Sequence, residues 1–353
     1  MEGKVEKYQR TMMFSGGGSR IGIYGGLYSA FIEENLSPDL IIGTCGGALA
    51  ANIISIFRKP HLIKEYIKSY EMYNFIISLE LTKESKLYNI GFDFLKRVLK
   101  SKKDYYIEDI FSKYLVDIPE DLNNILSSLA NEKNPLISTL IVGTKLLFDK
   151  KEVGRKCTGE KIYREILFTD KKTSQLIKNN FKEKNSLVFS KSLVEEKIEI
   201  IEDMDILKST RISISDMFYT RPVFHEGNYY LGGAVDLVPL ELAQSISEEI
   251  ILEKKQKYDK IEDIAVKSVF GYGANERLKE IEGINLKNCY MIDTSDVPEK
   301  LKGNYTTSKI NWKKFQVELS YPTSYEKYQN DIEKQWEYGY NKGKESILNK
   351  ENI

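Results

Sequence analysis

Two short segments of the chain carry residue types that can do chemistry, Ser15–Arg20 (SGGGSR) and Gly43–Gly47 (GTCGG). The second has the G-x-nucleophile-x-G frame, which sets a side chain on a tight turn between a strand and a helix with the next backbone N–H facing the reacting carbonyl. The frame puts Cys45 at the nucleophile position and the Gly46 N–H beside it. A free thiol ionises at about 8.5, and a helix N-terminus lowers that value, so an elbow cysteine is expected to be partly thiolate without a partner base. The first segment offers consecutive backbone N–H groups at a helix start, a cradle for phosphate or carboxylate. It lacks the Lys-Ser/Thr of a nucleotide P-loop and does not follow G-x-G-x-x-G, so nucleotide binding is not expected.

The elements that must position these residues are legible around them. Met12-Met13-Phe14 reads as a short strand before the glycine loop, and a helix is predicted from about Ile21 to Asn35. Leu40-Ile41-Ile42 reads as a buried strand entering the elbow, and Ala48 to Ile56 as a small-residue helix leaving it. Strand, loop, helix, strand, elbow, helix is the order of a parallel sheet with helices on its faces. Leu40 to Phe57 is uncharged over a length that could span a membrane, but Gly43, Gly46 and Gly47 interrupt it and Pro38-Asp39 turns the chain just before it. It is read as strand, elbow and helix.

Downstream, residues 60–134 are predicted to be mostly helical, a cap or flanking insertion, on the spacing in HLIKEYIKSYEMYNFI, FDFLKRVLK and YIEDIFSKYL. Leu136–Phe148 reads as a central strand that Ile162–Phe168 pairs with, and PVFHEGNYYLGGAVDLVP as a hairpin ending in Gly232-Gly233. The charge-dense Glu248–Lys260 is expected to be an exposed insertion, Lys287–Thr294 a buried strand with Cys289 in the core, and 324–349 an amphipathic packing helix. One domain over 1–353 is the expectation.

Bulk properties narrow the classes. Lys and Arg total 52 against 52 Asp and Glu, so no global field draws nucleic acid, and no nucleic-acid motif is present. Three scattered cysteines support neither a disulfide framework nor a metal site, and a reducing, cytoplasmic setting fits them. MEGKVEKYQR lacks the apolar core of a secretory signal. Lysine–tyrosine segments such as KSKKDYYIEDIF allow peripheral contact with a membrane, though surface solvation accounts for them equally. No cofactor or metal is called for.

Taken together, GGGSR, GTCGG and the downstream GGAVDLVP resemble the patatin-like phospholipases. The resemblance implies an α/β, patatin-like three-layer fold with a mainly parallel central sheet flanked by helices, and lipid or acyl-ester substrates held in an apolar pocket beside Cys45. It also implies that Gly16, Gly17, Gly18, Ser19 and Arg20, with Gly46, form the oxyanion-binding loop. The chain departs from the family twice: Cys45 stands in place of the elbow serine, and Leu231 precedes the glycine pair where the family has its catalytic aspartate. Asp236 and His225 are the substitute bases available by position, with Asp236 the candidate catalytic partner and His225 a surface turn residue. Three outcomes are open on the residues alone: an acyl hydrolase with a degenerate dyad and weak or lost hydrolysis, thiol-dependent acyl capture or transfer at Cys45, and a non-catalytic lipid-binding or assembly protein. In the first two, release of the acyl group is the slow step, because no side chain is clearly placed to deprotonate water.

Overall fold

The computed structural model describes residues 7–86, 105–131, 135–184, 186–284, 286, 288–311, 314 and 316–351. Its centre is a sheet in the order β11-β10-β1-β2-β5-β6-β7. These strands are β1 (Tyr8–Ser15), β2 (Leu40–Thr44), β5 (Ser138–Leu146), β6 (Tyr163–Thr169), β7 (Glu199–Glu202), β10 (Ser247–Lys254) and β11 (Cys289–Asp293). A hairpin of β8 (Val223–His225) and β9 (Asn228–Leu231) joins through β9 to the far end of β5. Two small antiparallel pairs stand apart, β3 (Glu80–Leu81) with β4 (Val116–Asp117) and β12 (Ser308–Asn311) with β13 (Gln316–Leu319). The ladders from β11 through β10, β1 and β2 to β5 are parallel, and β5–β6 is antiparallel.

The strands are apolar on both faces because both faces are covered. Met12, Phe14, Ile41 and Ile141 enter one core, whereas Met13, Leu40, Ile42, Leu140 and Val142 enter the other, the period-two alternation of a sheet sandwiched between helix layers. The first core is closed by α1 (Ile21–Glu33), α2 (Gly46–Phe57) and the C-terminal helix Tyr325–Glu351. The second is closed by the helices Lys171–Asn180, Leu240–Ile246 and Lys260–Phe270. The C-terminal helix lies directly on α1, which carries the glycine loop at its head. A Cβ at Gly26 would sit 2.1 Å from the Trp336 carbonyl oxygen, and one at Gly339 would sit 2.1 Å from that of Ile23, so the two backbones touch through reciprocal glycines.

Three expectations need correcting. Glu248–Lys260 is no exposed insertion: Ile250, Ile251 and Leu252 are buried in β10, which lies between β1 and β11. Its charges sit at the strand ends, and the apolar interior decides the element. Residues 60–134 are helical only in part. Pro60–Ile67 and Tyr70–Ile77 are helices and FDFLKRVLK lies outside the described residues, but YIEDIFSKYL is irregular chain that leads into β4. Its apolar spacing buries Ile107 and Ile110 without forming a helix. Cys289 opens the edge strand β11 and is only partly buried. Among the described residues no helix is long and apolar enough to cross a membrane.

Candidate active site

β1, β2 and β10 end on the same edge of the sheet, where the chain leaves β1 toward β2 on one side and β10 packs on the other. That is the switch point at which open α/β sheets form their clefts. Cys45 follows β2 with φ 50° and ψ −126°, backbone that a non-glycine residue holds at a cost of about 1–3 kcal/mol. Its N–H donates to Ser213 Oγ (3.0 Å), which in turn donates to the Val142 carbonyl (2.7 Å). The Thr44 hydroxyl donates to the Leu237 carbonyl at 3.1 Å. The glycines of the elbow are close-approach positions: a Cβ at Gly47 would lie 2.1 Å from the Phe14 oxygen, and one at Gly46 would lie 2.5 Å from the Gly18 oxygen. The second contact seats the glycine loop on the elbow. Gly16 is alongside, its Cβ position 3.5 Å from Cys45 Cβ.

The cysteine has a carboxylate partner that the linear pattern does not reveal. Cys45 Sγ donates to Asp216 Oδ1 at 3.1 Å. Asp216 lies three residues beyond the helix Ile206–Ser213, whose last residue already anchors the elbow. The Gly232-Gly233 turn makes room for it. A Cβ at Gly232 would be 2.4 Å from Asp216 Oδ1, and the Gly232 N–H donates to the Ser215 carbonyl at 2.8 Å. Burial pushes the Asp216 carboxyl up to about 6, against the pull of the Cys45 thiol and the Ala234 N–H. Burial also raises the Cys45 thiol well above its ordinary value, and the Asp216 charge and hydrogen bond raise it further. In place of the expected thiolate without a partner stands a protonated thiol beside a carboxylate, because desolvation of the buried thiol, with the Asp216 charge next to it, disfavours the thiolate.

The other residues singled out by sequence fall into place around this pair. Leu231 is 1 % exposed and packs in the second core, on the strand leading into the glycine turn. Asp236 is committed elsewhere: it pairs with Lys184 and accepts from Arg277 Nη2 at 3.2 Å. Lys184 also pairs with Glu165, and Arg277 with Glu241 (2.5 Å) and Glu280 (2.7 Å). Left to burial alone Asp236 would rise, yet Arg277 and Lys184 hold it below the usual carboxylate range. His225 stands at the hairpin turn, 3.8 Å from the Glu226 carboxylate. Arg20 folds back on its own loop, Nε donating to the Gly17 carbonyl (2.9 Å) with the guanidinium over the Tyr305 ring. Ser19 is tied to Thr306, accepting from its N–H at 3.0 Å. Both hold the loop in shape.

Beneath the glycine loop is a second group of residues absent from the sequence reading. Lys255 Nζ, just past β10, donates to the carbonyls of Ser15 and Gly16 (2.7 Å to the latter) and to the Tyr24 hydroxyl (3.2 Å). Tyr24 reaches the Gly16 carbonyl as well, and Glu253 Oε2 lies 3.3 Å from the ammonium. Burial brings Lys255 down to about 8, with Glu253 opposing. The only signal for these residues was the charge density that suggested an exposed segment.

Surface cavities open among the described residues, two of which are distinguished by their lining. One, of about 440 Å³, opens at the starts of β1, β2 and β5. The other, of about 200 Å³, is lined by Ser19, Tyr305, Thr306 and Tyr321 next to the glycine loop, and neither is lined by Cys45. Among the described residues no cluster of three or more His, Cys, Asp or Glu side chains could hold a metal ion.

A family model described as patatin-like phospholipase matches residues 12–243. Among solved structures the chain is similar to VipD from Legionella pneumophila, at 11 % identity and a TM-score of 0.38, over 98 % of this chain and 67 % of that one. No curated protein matches it.

Proposed function

The chain belongs to the patatin-like phospholipase family, whose substrates are lipid or acyl esters, and on that premise we propose that it is an acyl-ester hydrolase in which Cys45 is the nucleophile and Asp216 its base. The observation that carries the proposal is the 3.1 Å contact from Sγ to Oδ1 at an elbow with positive φ. Leu231 in place of the family's aspartate leaves the family's dyad degenerate; a carboxylate arriving from the neighbouring segment supplies the same function from another direction.

The chemistry follows from the protonation states. At neutral pH the thiol keeps its proton and Asp216 is mostly ionised, so attack on the acyl carbonyl transfers that proton from Sγ to Oδ1 as the C–S bond forms. The carbonyl oxygen becomes an oxyanion, met by the N–H groups of the glycine loop and of Gly46. Each such donor is worth about 3 kcal/mol. Collapse of the intermediate breaks the ester C–O bond, and Asp216 returns the proton to the departing alcohol. Asp216 then takes a proton from water, hydroxide attacks the thioester, and Sγ leaves and recovers its proton as the free acid is released. The hydrolytic step that lacked a base now has one. A carboxyl raised to about 6 is a better proton acceptor than an ordinary aspartate while still ionised at pH 7.

The test is mass spectrometry and product release after incubation with p-nitrophenyl butyrate, comparing the native chain with Cys45→Ala and Asp216→Asn. Turnover, or a butyryl adduct on Cys45 that Asp216→Asn slows, is the expected result. A native protein that neither releases product nor carries an adduct at pH 7–8 would overturn the proposal and leave the fold as a non-catalytic scaffold.

A further inference from the structure

We propose that Lys255, which lies outside the stretch matched by the family, is a positioning residue that aims and polarises the backbone N–H groups of the glycine loop for the acyl-transfer step. The inference rests on the reading of Cys45 as an acyl carrier. It starts from the planarity of the peptide unit, in which C=O and the following N–H point in opposite directions. Lys255 Nζ binds the carbonyl oxygens of both Ser15 and Gly16. The N–H groups of Gly16 and Gly17, the other halves of those two peptides, therefore point away from the ammonium. Gly16 has φ 74° and Gly17 φ 125°, conformations with no intrinsic preference to hold them there, so the direction of each N–H depends on what its carbonyl is tied to.

Three features make the tie strong. The ammonium is desolvated, with a side chain only 14 % exposed, and Glu253 balances its charge at 3.3 Å. Glu253 is itself held by the Thr294 hydroxyl (2.7 Å) and by Ser15 Oγ (3.3 Å), so the cation cannot swing away with its counter-ion. The Tyr24 hydroxyl adds a second donor on the Gly16 carbonyl from inside α1. A charged donor on a carbonyl also strengthens the hydrogen bond that the same peptide's N–H can give, because linked hydrogen bonds polarise one another. The loop therefore has its donors aimed before substrate arrives, which is where electrostatic catalysis obtains its advantage.

A purely structural lysine and an aiming lysine predict different kinetics, since alkylation of Cys45 needs the sulfur but no oxyanion, whereas acylation needs both. The experiment measures, on the full chain, the rates of Cys45 butyrylation by p-nitrophenyl butyrate and of its alkylation by iodoacetamide at one pH, for native, Lys255→Met and Lys255→Gln proteins. As removal of an oxyanion donor costs about 100- to 1000-fold, a misaimed but present donor should cost less, and the acylation-to-alkylation ratio is expected to fall roughly 10- to 100-fold in Lys255→Met. Lys255→Gln keeps a donor and drops the charge, and its ratio should fall by roughly three- to tenfold. If Lys255→Met does not fold, the Gln variant carries the test. A ratio within about twofold of native in the folded variants overturns the role of Lys255 alone. A native protein that is alkylated but never acylated overturns the Cys45 reading, and this inference with it.

Discussion

Two aspartates touch the same Gly232-Gly233 turn, and the molecule treats them in opposite ways. Asp236 closes the turn, its N–H donating to the Gly233 carbonyl, and its carboxylate is matched by two cations that are themselves shared with Glu165, Glu241 and Glu280. Asp216 leans on Gly232 and, among the described residues, is met by the Cys45 thiol and the Ala234 N–H and by no cation within hydrogen-bond distance. The first carboxylate is driven below its ordinary range and the second is lifted to about 6. Full compensation by fixed cations makes a strut, whereas desolvation with a movable proton as partner makes a base. Position next to a glycine turn does not decide the role of an aspartate; the charges that face it do.

This contrast is broken most severely at Asp216. Asp216→Asn should lower ester kcat/KM by about 10²- to 10⁴-fold, the usual span of general acid–base catalysis, while stability by urea denaturation stays within about 1 kcal/mol of native or improves. A variant of native activity would show that the 3.1 Å contact is incidental. Lys184→Met should do the reverse. It leaves Asp236 and Glu165 short of a cation in a buried site, and the unfolding free energy should drop by about 3–5 kcal/mol.

A pH series sharpens the comparison with a smaller effect. The Asp216 folded value lies above its unfolded one, so its contribution to stability is present in full at acid pH and is lost as pH rises through about 6. Activity runs the other way, because the base must be ionised: kcat/KM should rise about tenfold per pH unit on an acid limb centred near 6. Asp216→Asn should remove that limb from whatever activity remains. Asp236, held low by its cations, contributes in the opposite sense, with stability lost only as pH falls through its depressed range.

The smallest change is expected for Cys45→Ser. With Asp216 already in reach of the elbow, the serine variant should turn over the ester within roughly tenfold of the native rate, without Leu231→Asp, and with the same acid limb in its pH profile. Activity that appears only when Leu231→Asp is added would mean that Asp216 cannot serve as base.

Much of the frame was open to reading in one dimension. The βαβα order around residues 12–57, the elbow at Cys45, the hairpin before Gly232-Gly233 and the final helix follow from periodicity and turn residues, which act over a few neighbours. The strand Ser247–Lys254 reads as exposed for a physical reason: the charges at its end are visible locally, but the hydroxyls that hydrogen-bond to Glu253 and Lys255 and hold them under the glycine loop, those of Tyr24 and Thr294, come from other segments. Asp216 was passed over for the same cause, since Ser213-Ile214-Ser215-Asp216 bears no motif and gains meaning only 3.1 Å from a sulfur 171 positions away.

Residue order by itself thus determined where an elbow thiol and a run of glycine amides stand, because glycine, strand and helix preferences are local. Which carboxylate meets the thiol, which is locked in ion pairs, and which lysine turns the loop carbonyls were decided only by the tertiary fold, which sets Asp216 beside Cys45, Lys184 and Arg277 on Asp236, and the end of β10 under the glycine loop. Charge interactions and desolvation depend on distance through space, and distance along the chain carries almost no information about them.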